Sequence, residues 1–193
     1  MKKPKYKFTS MVDGATKLHQ LSVTYRAELD PRLPAGTIEG LETDISALRG
    51  DSEKAVHSRD VSKAATKVQG KALEEGFSLV RSLQGPLTLA IGENDDLLEL
   101  FGIGRKLDGK SVQSVAAAIQ STIKGATEKP EIARAAGILP SDLEELTEAH
   151  TALVGADTTQ GQKQLSSKQA TARRNETHVR VERTMELIVA VAR

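Results

Sequence analysis

Two stretches of this chain, 105 positions apart, carry the same residues in register. Ile38, Glu39, Leu41, Ala47, Leu48 and Gly50 recur as Leu143, Glu144, Leu146, Ala152, Leu153 and Gly155. At the same spacing Ser62, Lys63, Ala65 and Thr66 recur as Ser167, Lys168, Ala170 and Thr171. Leu33-Pro34 matches Leu139-Pro140 with a shift of one residue. Any two amphipathic helices resemble each other through their shared period. A period alone does not align a Leu-Pro, a glycine and a Ser-Lys-x-Ala-Thr, so the repeat reads as a tandem duplication of one unit.

That unit is helical. Ile38, Leu41, Ile45 and Leu48 step by three and four, as do Leu73, Phe77, Val80, Leu83 and Leu87. Leu139, Leu143, Leu146 and Leu153 continue the pattern, and Val181, Met185, Ile188 and Ala192 close it. Such spacing aligns one face of an α-helix, and no stretch shows the period-two alternation of a half-buried strand. Prolines and glycines punctuate the helices. Asp30–Gly36, with Pro31, Pro34 and Gly36, cannot continue a helix. This predicts a short helix from about Thr9 to Leu29 and a long one from Thr37 to about Ile91, kinked at Gly85-Pro86. Gly92-Glu93-Asn94 breaks it, and one or two turns over Asp95–Phe101 stop at Gly102. Ser111 is a good N-cap for a helix over Val112–Lys124 that Gly125 would end. Pro130 opens a short helix ending near Gly137. Ser141 and Glu144 form a capping box for a last helix from Asp142 to the C-terminus.

Composition narrows the architecture. The chain is 38% hydrophobic and 27% charged, a balance that folds, yet its only aromatics are Tyr6, Phe8, Tyr25, Phe77 and Phe101. Aromatic rings carry much of the buried area in round cores. Without them Leu, Ile, Val and Ala must be buried along helix seams. A helix of some 55 residues spans about 80 Å. The expected fold is therefore all-α: an elongated four-helix bundle or long antiparallel helical hairpin. Its first repeat covers 1–103, its linker 104–110 and its second repeat 111–193, all in a single domain. The middles of both long helices, Gly50–Asp60 and Gly155–Lys168, are polar. They form either a small-residue seam or a surface completed by a partner.

The chain has no cysteine, which removes disulfides, thiolate metal sites and a cysteine nucleophile. Met1–Lys7 is basic but no apolar segment follows it. No run approaches the roughly 20 apolar residues of a membrane span. Cytoplasmic residence is the default expectation, and export without a signal stays compatible. A net charge of +1 points to no strongly charged partner.

Several motifs invite chemistry. Gly104–Ser111 fits G-x-x-x-x-G-K-[ST], in which Gly104 and Gly109 would let backbone amides wrap phosphates. Lys110 would reach the outer phosphates and Ser111 would hold magnesium. The motif needs a strand before it, and Asp95–Phe101 reads as helix; a flexible linker explains the same residues. Arg59, Lys63, Lys67 and Lys71 recur every four residues and could track phosphates along one helix face, joined by Arg173, Arg174, Arg180 and Arg183. Stacking aromatics are missing, so nucleic acid is the weaker reading of a solvated or ion-paired face. Glu93, Asp95, Asp96 and Glu99 could meet Asp142, Glu144 and Glu145 for divalent-ion or acid–base work. Acids at helix starts are also what the helix dipole favours. His19, His57, His150 and His178 lack the Glu-x-x-His and HExxH spacings of metal bundles, so they read as surface or seam histidines.

The run from Gly92 to Gly102, after a long helix, resembles a loop of uncharacterised bacterial helical-bundle proteins, a group that supplies no function. The composition resembles that of the helical cores of exported filament proteins, without any motif of theirs. The expected function is a non-enzymatic structural or protein-interaction and assembly protein, with no cofactor, self-associating or binding another helical protein. The alternatives are phosphate or nucleotide binding through Gly104–Ser111 and nucleic-acid binding through the Arg59–Lys71 stripe.

Overall fold

A computed structural model describes residues 5–193, so the first four residues of the basic segment Met1–Lys7 lie outside it. The described residues form seven α-helices and no strand: α1 (Phe8–Thr24), α2 (Arg26–Leu29), α3 (Thr37–Ile91), α4 (Asp95–Leu100), α5 (Val112–Glu128), α6 (Pro130–Ala135) and α7 (Pro140–Val191). The chain is all-α.

Two compact units emerge, and neither coincides with a sequential half of the chain. The first joins the segment up to Val61 with Gln164–Arg193; the second is Ser62–Lys163. The repeat linker expected at 104–110 lies inside the second unit. The reason is that each unit is built from an antiparallel pair of long-helix segments, one from α3 and one from α7. In the first unit Asp44 meets Arg180 and Asp51 meets Thr177. In the second, Gln69 donates to Asp157 at 2.6 Å and Gly76 lies beside Leu153.

The core of the first unit is Met11, Val12 and Ala15 of α1, Leu29 and Leu33, Ile38, Leu41, Ile45 and Leu48 of α3, and Val181 and Ile188 of α7. Each such side chain withdrawn from water is worth roughly 1.5–3 kcal/mol. The second unit has two clusters. Val80, Val115, Ile119, Leu146 and Leu153 form one; Leu87, Phe101, Ala126, Ala133 and Ile138 form the other.

Local departures from the sequence expectations have physical causes. The first short helix is interrupted at Tyr25 (φ −100°, ψ 26°), after the β-branched Val23-Thr24, both poor helix formers. α5 does not stop at Gly125; it continues to Glu128, with Gly125 buried inside it. The capping box is displaced as well. Pro140 takes the first helical position, where its missing N–H is harmless. Asp142 then accepts from the Leu139 amide at 2.8 Å, while Ser141 lies inside the helix. Leu139, expected on the seam, is 60% exposed, and Ile138 is buried in its stead.

Other expectations hold. α3 spans Thr37–Ile91 without a break, carrying Pro86 within it. Pro86 and Ser82, whose carbonyl loses its helical donor to the proline ring, are both exposed, so water can replace the bond. α4 ends at Gly102 (φ +72°), where the Ile103 amide donates back to Leu98 and the Gly102 amide to Glu99, a glycine-terminated helix stop. The polar helix middles are unequal. Asp51 and Ala55 are buried within Gly50–Asp60, whereas nothing in Gly155–Lys168 is fully buried. No helix among the described residues is long and apolar enough to cross a membrane.

Candidate functional site

The phosphate-loop pattern folds as a cap for α5. The Ser111 hydroxyl accepts from the Ser114 amide at 3.2 Å, and the Ser114 hydroxyl accepts from the Asp108 amide at 3.0 Å. The Lys110 amide donates to the Asp108 carboxylate and the Ser111 amide to the Asp108 carbonyl, both at 3.0 Å. The amides of Asp108, Lys110 and Ser111 are thus engaged within the loop. Gly109 has a different use: a Cβ there would stand 2.9 Å from the Phe77 ring. Gly104 (φ +89°) and Lys110 are exposed, and the segment before the loop is α4 rather than a strand.

Arg59, Lys63, Lys67 and Lys71 are all exposed on α3, with Lys71 3.8 Å from Glu75. Arg59 falls in the first unit and the three lysines in the second. The acids at the α4 and α7 starts act as helix-end groups: Asp95 and Asp96 occupy the first turn of α4, Asp142 caps α7, and Glu99 pairs with Arg105 at 2.6 Å. Among the described residues no group of three His, Asp or Glu side chains could hold a metal ion. His57 is exposed, His150 is half-buried, and His19 lies 3.9 Å from Glu42.

A buried polar seam runs along α7 in the first unit. The Thr177 hydroxyl donates to the buried Asp51 carboxylate at 2.9 Å, and Arg173 approaches the same group at 3.2 Å. Arg180 donates to Asp44 at 2.9 Å, a hydrogen bond that holds its guanidinium in the charged form. Two residues on, Glu182 accepts from the backbone amides of Lys5 (2.7 Å) and Tyr6 (3.2 Å), tying the segment before α1 to α7. The Lys5 ammonium is bonded to Glu186, which favours its charged form.

His178 sits between these groups with no hydrogen-bond partner for Nε2; the Glu182 carboxylate is 3.7 Å away. Burial pushes its imidazole below the usual 6.5, Glu182 opposes that shift and Arg174 adds to it. The unfolded chain therefore binds this proton more tightly than the folded chain. The stability contributed is complete above pH 6.5 and is lost as the pH falls from there through the lowered folded value. Thermal melts between pH 7.5 and 4.5 should show a destabilising slope that is shallower in His178→Gln. An unchanged slope would show that His178 binds its proton equally well in the folded and the unfolded chain.

An apolar opening in the first unit lies where α1 and α2 meet the end of α7. It holds about 500 Å³ and is lined by Leu18, Leu21, Tyr25, Leu29, Ile188 and Val191, with Glu28 and Arg32 at its rim. Leu21 and Tyr25 are 57% and 53% exposed. Openings of this size and character are where proteins seat ligands and partner side chains. The helix expected from about Thr9 to Leu29 contains Leu18, Leu21 and Tyr25, which are three and four residues apart. That spacing could not show that the face they form is left uncovered.

No family model, curated protein or solved structure matches the chain, so its functional reading rests on these side chains and their arrangement.

Proposed function

We propose that the protein is a non-enzymatic interaction protein built by duplication of a short-helix–long-helix unit, and that it binds another polypeptide through an exposed helical face. The observation that carries this reading is the apolar opening flanked by Leu21 and Tyr25, both more than half exposed. Large apolar side chains left in water around a concavity are a recognised mark of protein contact surfaces.

The duplication is supported at several positions. α1 and α5 are both 17 residues long, and their starts, Phe8 and Val112, are 104 apart. α2 and α6 also start 104 apart, at Arg26 and Pro130. Buried residues follow the same offset: Met11 with Val115, Ala15 with Ile119, and, at 105, Leu41 with Leu146 and Leu48 with Leu153. Farther along, Val80 corresponds to Val181 and Leu87 to Ile188, now 101 apart and all buried. The offset has changed by four, about one helical turn, which leaves the buried face where it was.

Light scattering coupled to size exclusion, at two protein concentrations, tests the reading alongside nucleotide and nucleic-acid titrations. Association that weakens in Leu21→Glu supports it. Two results would sink it. One is nucleotide binding that protects Gly104–Ser111 from proteolysis and disappears in Lys110→Ala. The other is steeply salt-dependent nucleic-acid binding that Lys63→Glu and Lys67→Glu weaken.

A further inference from the structure

The segment ahead of α1 is held on α7 largely at a single atom. Oε1 of the buried Glu182 accepts from the Lys5 amide at 2.7 Å and from the Tyr6 amide at 3.2 Å. The same oxygen lies 3.7 Å from Nε2 of His178, which is 3% exposed and has no hydrogen-bond partner at that nitrogen. The other tie, between the Lys5 ammonium and Glu186, joins two exposed side chains and is worth little in water. The join therefore rests on one carboxylate oxygen with an unpaired, ionisable nitrogen beside it.

The second unit makes a corresponding join without a group that titrates near neutral pH. At the offset of 101 that relates Val80 to Val181, His178 corresponds to Phe77 and Glu182 to Arg81. At the 104 that relates α1 to α5, Lys5 and Tyr6 correspond to Gly109 and Lys110. There Gly109 lies so close to Phe77 that a Cβ would stand 2.9 Å from the ring, and Arg81 sits over that ring, 5.9 Å from its centroid. In both units, then, the segment ahead of a short helix rests on the same place of a long one. Only the first puts an imidazole and a carboxylate there. This comparison rests on the duplication; the geometry at Glu182 does not.

A neutral imidazole can leave Nε2 unpaired, whereas an imidazolium makes it a charged donor. Burying such a donor without an acceptor is costly, and Glu182 Oε1 is the acceptor at hand. That oxygen already receives two amides, so a third donor competes with them, and the longer bond, from Tyr6, yields first. Burial disfavours the charged ring most, Glu182 opposes this and Arg174 adds to it. The charges of α3 and α1 are committed to other groups or to water. Asp44 bonds Arg180, Asp51 bonds Thr177 and Arg173, Arg49 bonds Thr16, His19 lies near Glu42, and Asp13 and Lys17 are exposed.

We propose that His178 is the release of this join: on taking up a proton its Nε2–H draws Glu182 Oε1 from the Lys5 and Tyr6 amides, and the segment ahead of α1 comes free of α7. The latch is closed at neutral pH and opens as the pH falls below the ordinary imidazole value of 6.5, before the unit itself unfolds. It stands apart from the interaction reading above, and neither depends on the other.

Amide hydrogen exchange read by NMR on the full chain, between pH 7.5 and 4.5, tests this. Protection of the Lys5 and Tyr6 amides, corrected for the intrinsic pH dependence of exchange, should fall at least about tenfold as the His178 ring titrates. Protection of Leu41 and Leu48, in the core of the same unit, should hold over that titration. In His178→Gln and in His178→Phe, the latter carrying the residue of the second unit, the segment should stay protected throughout; two variants guard against one failing to fold. Protection unchanged or raised on ring protonation would overturn the proposal, because the imidazolium would then share the oxygen with the amides. An equal fall in His178→Gln would also overturn it, making Glu182 itself the titrating group. A fall shared by Leu41 and Leu48 would do the same, since the whole unit would be unfolding.

Discussion

Phe101→Ala is expected to destabilise the chain by about 3–5 kcal/mol, the range for truncating a fully buried phenylalanine. Its ring is 1% exposed and is enclosed by Leu87, Ala126, Ala133 and Ile138. Alanine and glycine line much of this socket, and small residues cannot reach inward to fill a vacated ring. The cavity term should therefore sit toward the upper end. The loss should also be local in character. α4 has no fully buried residue of its own, so once Phe101 is removed little holds the six-residue helix on α5. Urea unfolding gives the magnitude. Hydrogen exchange should show Leu97–Ile103 losing protection before the amides of α1, which belong to the other unit. A loss below about 1 kcal/mol would mean that the socket collapses readily and that Phe101 does not anchor α4.

Much of this arrangement is legible in the sequence. The limits of α3 follow from Pro34-Ala35-Gly36 at one end and Gly92 at the other, because those residues restrict the backbone whatever surrounds them. Ile38, Leu41, Ile45 and Leu48 are buried as their spacing requires. Pro130 opens α6 because proline at a first helical position needs no partner. What failed depended on residues distant in sequence. Gly125 resembles a helix terminator, and only the arrival of Phe101 turns it into a socket. Ser141-Asp142-Leu143-Glu144 has the letters of a capping box, yet Pro140 is better suited to the first helical position and shifts the register of the cap.

The candidate site was less legible still. Leu18, Leu21 and Tyr25 have the spacing of a core stripe. Whether that stripe is covered is decided by which segment crosses it, as Phe101 does over Ala126 and Ala133 in the second unit. His178 carried no signal of its burial either. It is a polar letter between Thr177 and Val179, with Glu182 one turn on in the same helix. In contrast, the Gly104–Ser111 pattern was conspicuous in sequence and folds as a helix cap, since a short string of glycines, a lysine and a serine serves either purpose. Motif letters report local chemistry, whereas an uncovered face is a property of the whole arrangement.

The socket can be tested from its other wall. Gly125→Leu places at this position the residue that Leu21 supplies in the first unit, and it should cost about as much as losing Phe101, roughly 3 kcal/mol or more. Two effects compete. Leucine is a better helix former than glycine, which favours the variant by up to about 1 kcal/mol in the interior of α5. Against that, even a Cβ at Gly125 would lie 2.6 to 2.9 Å from three Phe101 ring atoms, and leucine adds further carbons along the same direction. Overpacking alone commonly costs about 1–3 kcal/mol. Here the strain has an outlet, because Phe101 can leave; the variant then forfeits the ring's burial and exposes α4. The second unit would come to resemble the first, with an apolar groove where its own segment had been. Adding Phe101→Ala to Gly125→Leu should accordingly cost far less than in the wild-type chain. Near-additive losses in that double variant would show that Phe101 keeps its seat beside the leucine, and that the socket yields by shifting α5 instead.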